Sequence, residues 1–149
     1  MSTTLLKRAA AVGVSAAALA LLPLGGASAA TNAVNTFQNQ GTGRCIDDTS
    51  NGFRTWDCNN SAAQQWNVHK WADGTVQLRN LNTGRCMYDG DQGFKTATCD
   101  SSTNQSWFVR HWNDGTIELK NQATNKCIDD SNLGFRTLGC NTGVYQSWY

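Results

Sequence analysis

The chain has 149 residues, 15% of them charged, and a formal net charge of +1. So even a balance excludes the electrostatic footprint of a protein that binds nucleic acid or an anionic membrane. No stretch beyond the first thirty residues is long and apolar enough to span a bilayer.

Residues 1–30 read as a secretory signal. Lys7 and Arg8 form a short basic start, residues 9–24 are an apolar run rich in Ala and Leu, and Ala27-Ser28-Ala29-Ala30 offers small residues to signal peptidase. Residues 31–149 are then one small domain, expected to be secreted and extracellular. Without Lys7 and Arg8 it carries ten basic residues against eleven acidic ones. All six cysteines lie in it, and an even count in a small exported chain reads as a disulfide framework.

The predicted elements are short strands. Thr36-Phe37-Gln38-Asn39 is the first, followed by one holding Cys45 and one opened by Gly52-Phe53. Gln65-Trp66-Asn67-Val68 ends that set. Asp73-Gly74 is a hairpin turn into Thr75-Val76-Gln77-Leu78-Arg79, whose apolar and polar residues alternate. Asn82-Thr83-Gly84 turns into the strand of Cys86, and Gly93-Phe94 opens the next. Ser106-Trp107-Phe108-Val109, the turn Asp114-Gly115 and Thr116-Ile117-Glu118-Leu119-Lys120 repeat the pattern. No segment after residue 30 has helical periodicity.

The elements recur every 41 residues. Cys45, Cys86 and Cys127 obey that spacing, as do Cys58, Cys99 and Cys140, and Trp66, Trp107 and Trp148. Phe53, Phe94 and Phe135 follow it too, and so do Trp71 with Trp112 and Gly74 with Gly115. A fixed period without insertions is one supersecondary unit used three times. The units run over about 36–74, 75–115 and 116–149, each with about four strands, giving twelve in all. The segment 36–39 stands 41 residues before 77–80, so the N-terminal strand is expected to complete the third repeat and close a threefold barrel. Six cysteines allow 15 pairings. Pairing Cys45 with Cys58, Cys86 with Cys99 and Cys127 with Cys140 treats the three copies alike. No Cys-x-x-Cys pair exists, and His69 and His111 differ in offset from their repeat tryptophans, so neither a metal nor another cofactor is expected.

Each repeat ends in Gln-x-Trp: Gln64-Gln65-Trp66, Gln105-Ser106-Trp107 and Gln146-Ser147-Trp148. Each opens with Cys-x-Asp or a near miss: Cys45-Ile46-Asp47, Cys86-Met87-Tyr88-Asp89 and Cys127-Ile128-Asp129. This pattern closely resembles the ricin B-type β-trefoil lectin domain over the whole of residues 31–149. The resemblance implies an all-β trefoil whose motif tryptophans fill the core and whose sugar pockets lie outside, one per repeat. It also implies the pocket residues: an aspartate two after the first cysteine, an aromatic two before the second, and Asn-Gln just before the motif tryptophan. A carboxylate accepts sugar hydroxyls, an amide donates and accepts, and a flat ring covers the apolar sugar face.

On this pattern the first repeat is the main expected site, with Asp47, Trp56 and Gln64, although Ala63 stands in place of the amide. The third offers Asp129 and Gln146, with Leu138 at the platform position and Tyr145 as a displaced aromatic. The second is the weakest. Tyr88 replaces the aspartate, which is read as displaced to Asp89, Ala97 replaces the platform, and Asn104 and Gln105 remain. The stretch between paired cysteines is shorter than is usual in the family, so the loop walling each pocket is expected to be clipped. Arg54, Lys95 and Arg136 stand in register beside the pockets. They read as solvated charge on the outward strand face, or as a preference for an acidic sugar or a partner's carboxylate. The expected function is non-catalytic carbohydrate binding. The alternative is a protein-binding trefoil, an inhibitor or adaptor for a secreted partner, with degenerate sugar pockets. Asp47-Asp48 and Asp129-Asp130 are adjacent on strands, which points them to opposite faces and not across a hydrolytic cleft.

Overall fold

The computed structural model describes residues 32–149, so the signal-peptide reading of residues 1–30 lies outside the described residues. Eleven strands are present: β1 Ala33–Asn35, β2 Cys45–Thr49, β3 Gly52–Trp56, β4 Trp66–Lys70, β5 Val76–Asn80, β6 Cys86–Gly90, β7 Gly93–Ala97, β8 Trp107–His111, β9 Ile117–Asn121, β10 Lys126–Ser131 and β11 Gly134–Gly139. Three single-turn 3₁₀ segments, Ala62–Gln64, Thr103–Gln105 and Val144–Gln146, carry the motif glutamines. Pairing is antiparallel throughout. The hairpins β4–β5 and β8–β9 form barrel wall, and β2–β3, β6–β7 and β10–β11 stand outside it, one per repeat. Gly74 and Gly115 close the two wall hairpins at φ 88° and 87°, a left-handed conformation that L side chains resist.

The three disulfides form within repeats, Cys45–Cys58, Cys86–Cys99 and Cys127–Cys140, each closing 13 residues of sequence. Trp66, Trp107 and Trp148 are fully buried. Each indole N–H donates to a carbonyl twenty residues earlier: Ile46 at 3.1 Å, Met87 at 3.3 Å and Ile128 at 3.2 Å. Phe53, Phe94 and Phe135 form a closed triangle of edge-to-face rings, every pair of centroids 4.9 Å apart. Each also abuts its own repeat's tryptophan. Residues chosen for one hairpin thus pack on the molecular threefold, and the period of 41 is a packing requirement as well as a sequence one.

One expectation needs correction. The segment 36–39 does not form a full strand, and there is no twelfth strand among the described residues. Asn39 bridges to Trp148, and the Tyr149 N–H donates to the Gln38 carbonyl at 2.9 Å. The ring therefore closes through residues 38–41, with Gln40 N–H donating to the Ser147 carbonyl at 2.8 Å, and among the described residues Thr36 makes no main-chain hydrogen bond.

Glu118 stands in register with Gln77. Gln77 donates to the Asp100 carbonyl and to Gln105 Oε1. Glu118 is buried, with its carboxyl oxygen within 4.8 Å of the Cys127 and Cys140 sulfurs. Desolvation raises its pKa above the ordinary glutamate value, against the pull of Arg110 and Lys120. A carboxyl whose pKa rises on folding favours the folded state below its unfolded-state pKa, and that contribution is lost as pH rises through the folded one. Glu118→Gln is therefore expected to raise the melting temperature at pH 7, with the gain shrinking as pH falls toward the ordinary carboxyl range. Calorimetry of both proteins across that range checks it.

Candidate functional site

The outer hairpin of each repeat sets the geometry. In β2–β3, Asp47 lies directly across from Arg54, and Cys45 across from Trp56. Antiparallel neighbours on one face are in side-chain reach. Arg54 Nε donates to Asp47 Oδ1 at 3.2 Å, and the Arg54 guanidinium carbon sits 4.2 Å from the centre of the Trp56 ring. Gln64 Nε2 reaches Asp47 Oδ2 at 3.4 Å and the Asp57 carbonyl at 2.9 Å, while Gln64 Oε1 accepts from the Asn59 N–H. Asp47 and Gln64 are buried, whereas Trp56 is 50% exposed. The structure thus brings Asp47, Trp56 and Gln64 together with Arg54 between the acid and the ring. Among the described residues, Arg54 uses only Nε for a protein hydrogen bond, which leaves its terminal amino groups as outward donors.

The third repeat reproduces half of this. Arg136 Nε donates to Asp129 Oδ1 at 3.3 Å, and Gln146 Nε2 reaches Asp129 Oδ2 at 3.4 Å. Leu138 occupies the platform position, partly exposed, and Tyr145 is 44% exposed. The Tyr145 ring lies against Gly41, where a Cβ would come within 2.5 Å of it.

Arg54 and Arg136, read as solvated charge on the outward strand face, keep over a third of their side chains in solvent, and each is also ion-paired with the aspartate across its own hairpin. Lys95 differs. It lies over the Tyr88 ring at 5.4 Å and contacts Gln92 Oε1.

In the second repeat, Tyr88 Oη donates to Asp91 Oδ1 at 3.0 Å. Tyr88 and Asn104 meet over Gly90, where a Cβ would lie 2.5 Å from Tyr88 Oη and from Asn104 Nδ2. Desolvation, then Asp91, raises the Tyr88 phenol above its ordinary pKa. Among the described residues Gln105 hydrogen-bonds no carboxylate; it donates to the Thr98 carbonyl and accepts from the Asp100 N–H.

Asp89 is not a displaced counterpart of Asp47. It stands in register with Asp48 and Asp130, and all three point into the next repeat. Asp48 accepts from Arg85 Nη2 at 2.8 Å and Nε at 3.2 Å, from Thr96 Oγ1 at 3.1 Å, and from Thr83 Oγ1. Asp130 accepts from Arg44 Nη2 at 2.9 Å, from Thr55 Oγ1 at 2.9 Å, and from Thr42 Oγ1. Among the described residues the Asp89 carboxylate accepts only from the Thr124 and Thr137 hydroxyls, because Lys126 replaces the arginine. Sequence reasoning missed this clasp, although the 41-residue spacing of Asp48, Asp89 and Asp130, and of their threonines, carried the signal.

The family model described as "Ricin-type beta-trefoil lectin domain-like" matches residues 24–93 and 62–134. No curated protein matches the chain. Among solved structures, it is similar to a designed threefold-symmetric protein, ThreeFoil, with a TM-score of 0.71 and 16% identity over 77% of this chain and 95% of that one. It is also similar to a GlcNAcα1-4Gal-releasing endo-β-galactosidase from Clostridium perfringens, with a TM-score of 0.70 and 18% identity over 78% of this chain. There the likeness spans only 31% of the other chain. A third likeness is to the cytolethal distending toxin of Haemophilus ducreyi, with a TM-score of 0.64 and 16% identity over 78% of this chain and 81% of that one.

Proposed function

Because the chain belongs to the ricin-type β-trefoil lectin domain-like family, a fold of carbohydrate- or protein-binding modules, we propose that it is a secreted, non-catalytic carbohydrate-binding module. Its main sugar site is the outer face of the first repeat. The observation that carries this reading is the half-exposed Trp56 ring, held by Arg54 beside the buried Asp47–Gln64 pair. The open face of the indole covers the C–H face of a pyranose. The outward amino groups of Arg54 donate to vicinal hydroxyls, with Asp47 as the fixed counter-charge behind them. Asp129 with Gln146 and Tyr145 forms a lesser site, and Tyr88 with Asn104 a weaker one whose acid is supplied by Asp91 and not Asp89. Repetition of shallow sites favours polymers through avidity. Three disulfides suit an oxidising, extracellular compartment, and residues 1–30 are the proposed export signal.

A glycan array probed with the parent chain, Trp56→Ala and the Asp47→Ala, Trp56→Ala double variant tests this. Trp56→Ala is expected to lower retention on the bound polysaccharide with little change in melting temperature, since the ring is half in water. Removing Asp47 as well takes away the acceptor that fixes Arg54 beside the ring, so retention is expected to fall further and the melting temperature with it, because a buried ion pair is broken. Unchanged retention by the double variant would exclude the first repeat as the sugar site.

A further inference from the structure

Among the described residues four arginines pair with buried aspartates, and they do so in two ways. Arg85 closes on its partner as a fork. Its Nε and Nη2 donate to the two oxygens of Asp48 at 3.2 and 2.8 Å, and Nη2 donates again to the Thr49 carbonyl at 3.2 Å. Arg44 holds Asp130 and the Ser131 carbonyl in the same manner. Arg54 and Arg136 reach Asp47 and Asp129 through Nε alone, at 3.2 and 3.3 Å. Exposure does not separate the two kinds. The side chains of Arg54 and Arg136 are 36% and 38% exposed, and those of Arg44 and Arg85 are 38% and 42% exposed. What differs is the wiring: on the outer hairpins both amino groups of the guanidinium are left without a protein acceptor among the described residues.

The acceptors that a neutral sugar would use are already spent. Asp47 gives one oxygen to Arg54 and the other to Gln64, and Asp129 gives one to Arg136 and the other to Gln146. Both aspartates and both glutamines are buried. A sugar hydroxyl brings a proton that needs an acceptor, whereas a carboxylate only accepts. A planar guanidinium with two amino groups free matches a carboxylate bidentately, with charge assistance.

We propose that the outer faces of the first and third repeats select an acidic sugar, a uronic acid whose carboxylate seats on the amino groups of Arg54 or Arg136. The inference rests on the sugar-site reading above and narrows its ligand, the carboxylate taking the donors otherwise left to two hydroxyls. Asp47 and Asp129 offset part of the positive charge, so one contact is weak, and repeated contacts along a polyuronate supply the retention. The second repeat takes no part. Its cation is Lys95, which contacts Gln92 and lies over Tyr88, the hydrogen-bond donor to Asp91. An ammonium also lacks the planar fork.

The test is retention of the full chain on immobilised polygalacturonate, alginate and hyaluronate. Each is run beside the same polymer with its carboxyls reduced to alcohols, and dextran sulfate is run as a charge control. At least one polyuronate is expected to hold the chain about tenfold or more tightly than its reduced partner. The double variant Arg54→Lys, Arg136→Lys keeps a cation for each buried aspartate and removes the fork. It should bring that ratio below about threefold with little change in melting temperature. Equal retention on every acid and reduced pair overturns the inference and leaves the sugar-site reading standing. Retention on none of the polymers overturns it as well, and the glycan array then judges the sugar-site reading by itself. Dextran sulfate that holds the chain as well as the best polyuronate, or a ratio that the lysine variant preserves, overturns it too, because charge alone is then what the site reads.

Discussion

Trp107→Ala is expected to lower the free energy of unfolding by about 3–5 kcal/mol. The indole is fully buried, abuts Phe94 at 6.1 Å between centroids, and donates to the Met87 carbonyl. Truncation opens a cavity beside the phenylalanine triangle, frees Phe94 from one neighbour, and leaves the Met87 carbonyl without its donor in a site water cannot easily reach. Trp66→Ala and Trp148→Ala should behave alike, because the three environments superpose. Denaturant titration with a fixed slope measures the loss, and ligand retention should fall only where the variant unfolds. A tryptophan variant that kept the parent melting temperature and lost ligand would be a binding platform, contrary to the core assignment.

The second large effect separates the three buried aspartates of the clasp. Asp48→Ala should cost about 3 kcal/mol, at the low end for breaking a buried ion pair. Arg85 is 42% exposed, so its stranded charge can rehydrate in part. Asp130→Ala should match it, since Arg44 is 38% exposed. Asp89→Ala should cost only about 1–2 kcal/mol, the value of two hydroxyl hydrogen bonds to a charged acceptor less the relief of burying it. Urea midpoints of the three variants, compared at one pH, decide the matter. Equal losses would mean that the guanidinium groups contribute nothing and that the threonines alone carry the clasp.

The fold was legible because the repeat is exact. Cysteines, tryptophans and phenylalanines share one 41-residue spacing, and threefold packing is the economical way to bury all of them together. The site was legible in its members but not in its wiring. Asp47, Trp56 and Gln64 could be placed near one another, yet the role of Arg54 depends on a register. The β2–β3 turn falls at Ser50-Asn51, which sets Asp47 opposite Arg54, and the same reasoning pairs Asp129 with Arg136. Asp48 and Asp47 could not be told apart by type, since both are acids on one strand. What differs is the face: one looks across its own hairpin and the other into the neighbouring repeat. Only the inter-repeat packing makes that distinction. The shortened closure was hidden for a related reason. Segment 36–39 has the right pattern for a full strand, but a strand needs a partner along its whole length, and the pattern of one strand does not report its partner.

The clasp also orders events in time. In the folded ring the two arginine links are alike, yet they span very different lengths of chain. Asp48 reaches Arg85 across 37 residues, whereas Asp130 reaches Arg44 across 86. The longer loop costs under about 1 kcal/mol more in closure entropy, so the symmetry of the finished ring is scarcely disturbed. The encounter is another matter, because contacts distant in sequence form late and set the folding rate. Consecutive repeats can join before the first and last repeats meet. The Asp130 link is then made last, and three seams built on one aspartate position divide into two early ones and one that completes the molecule.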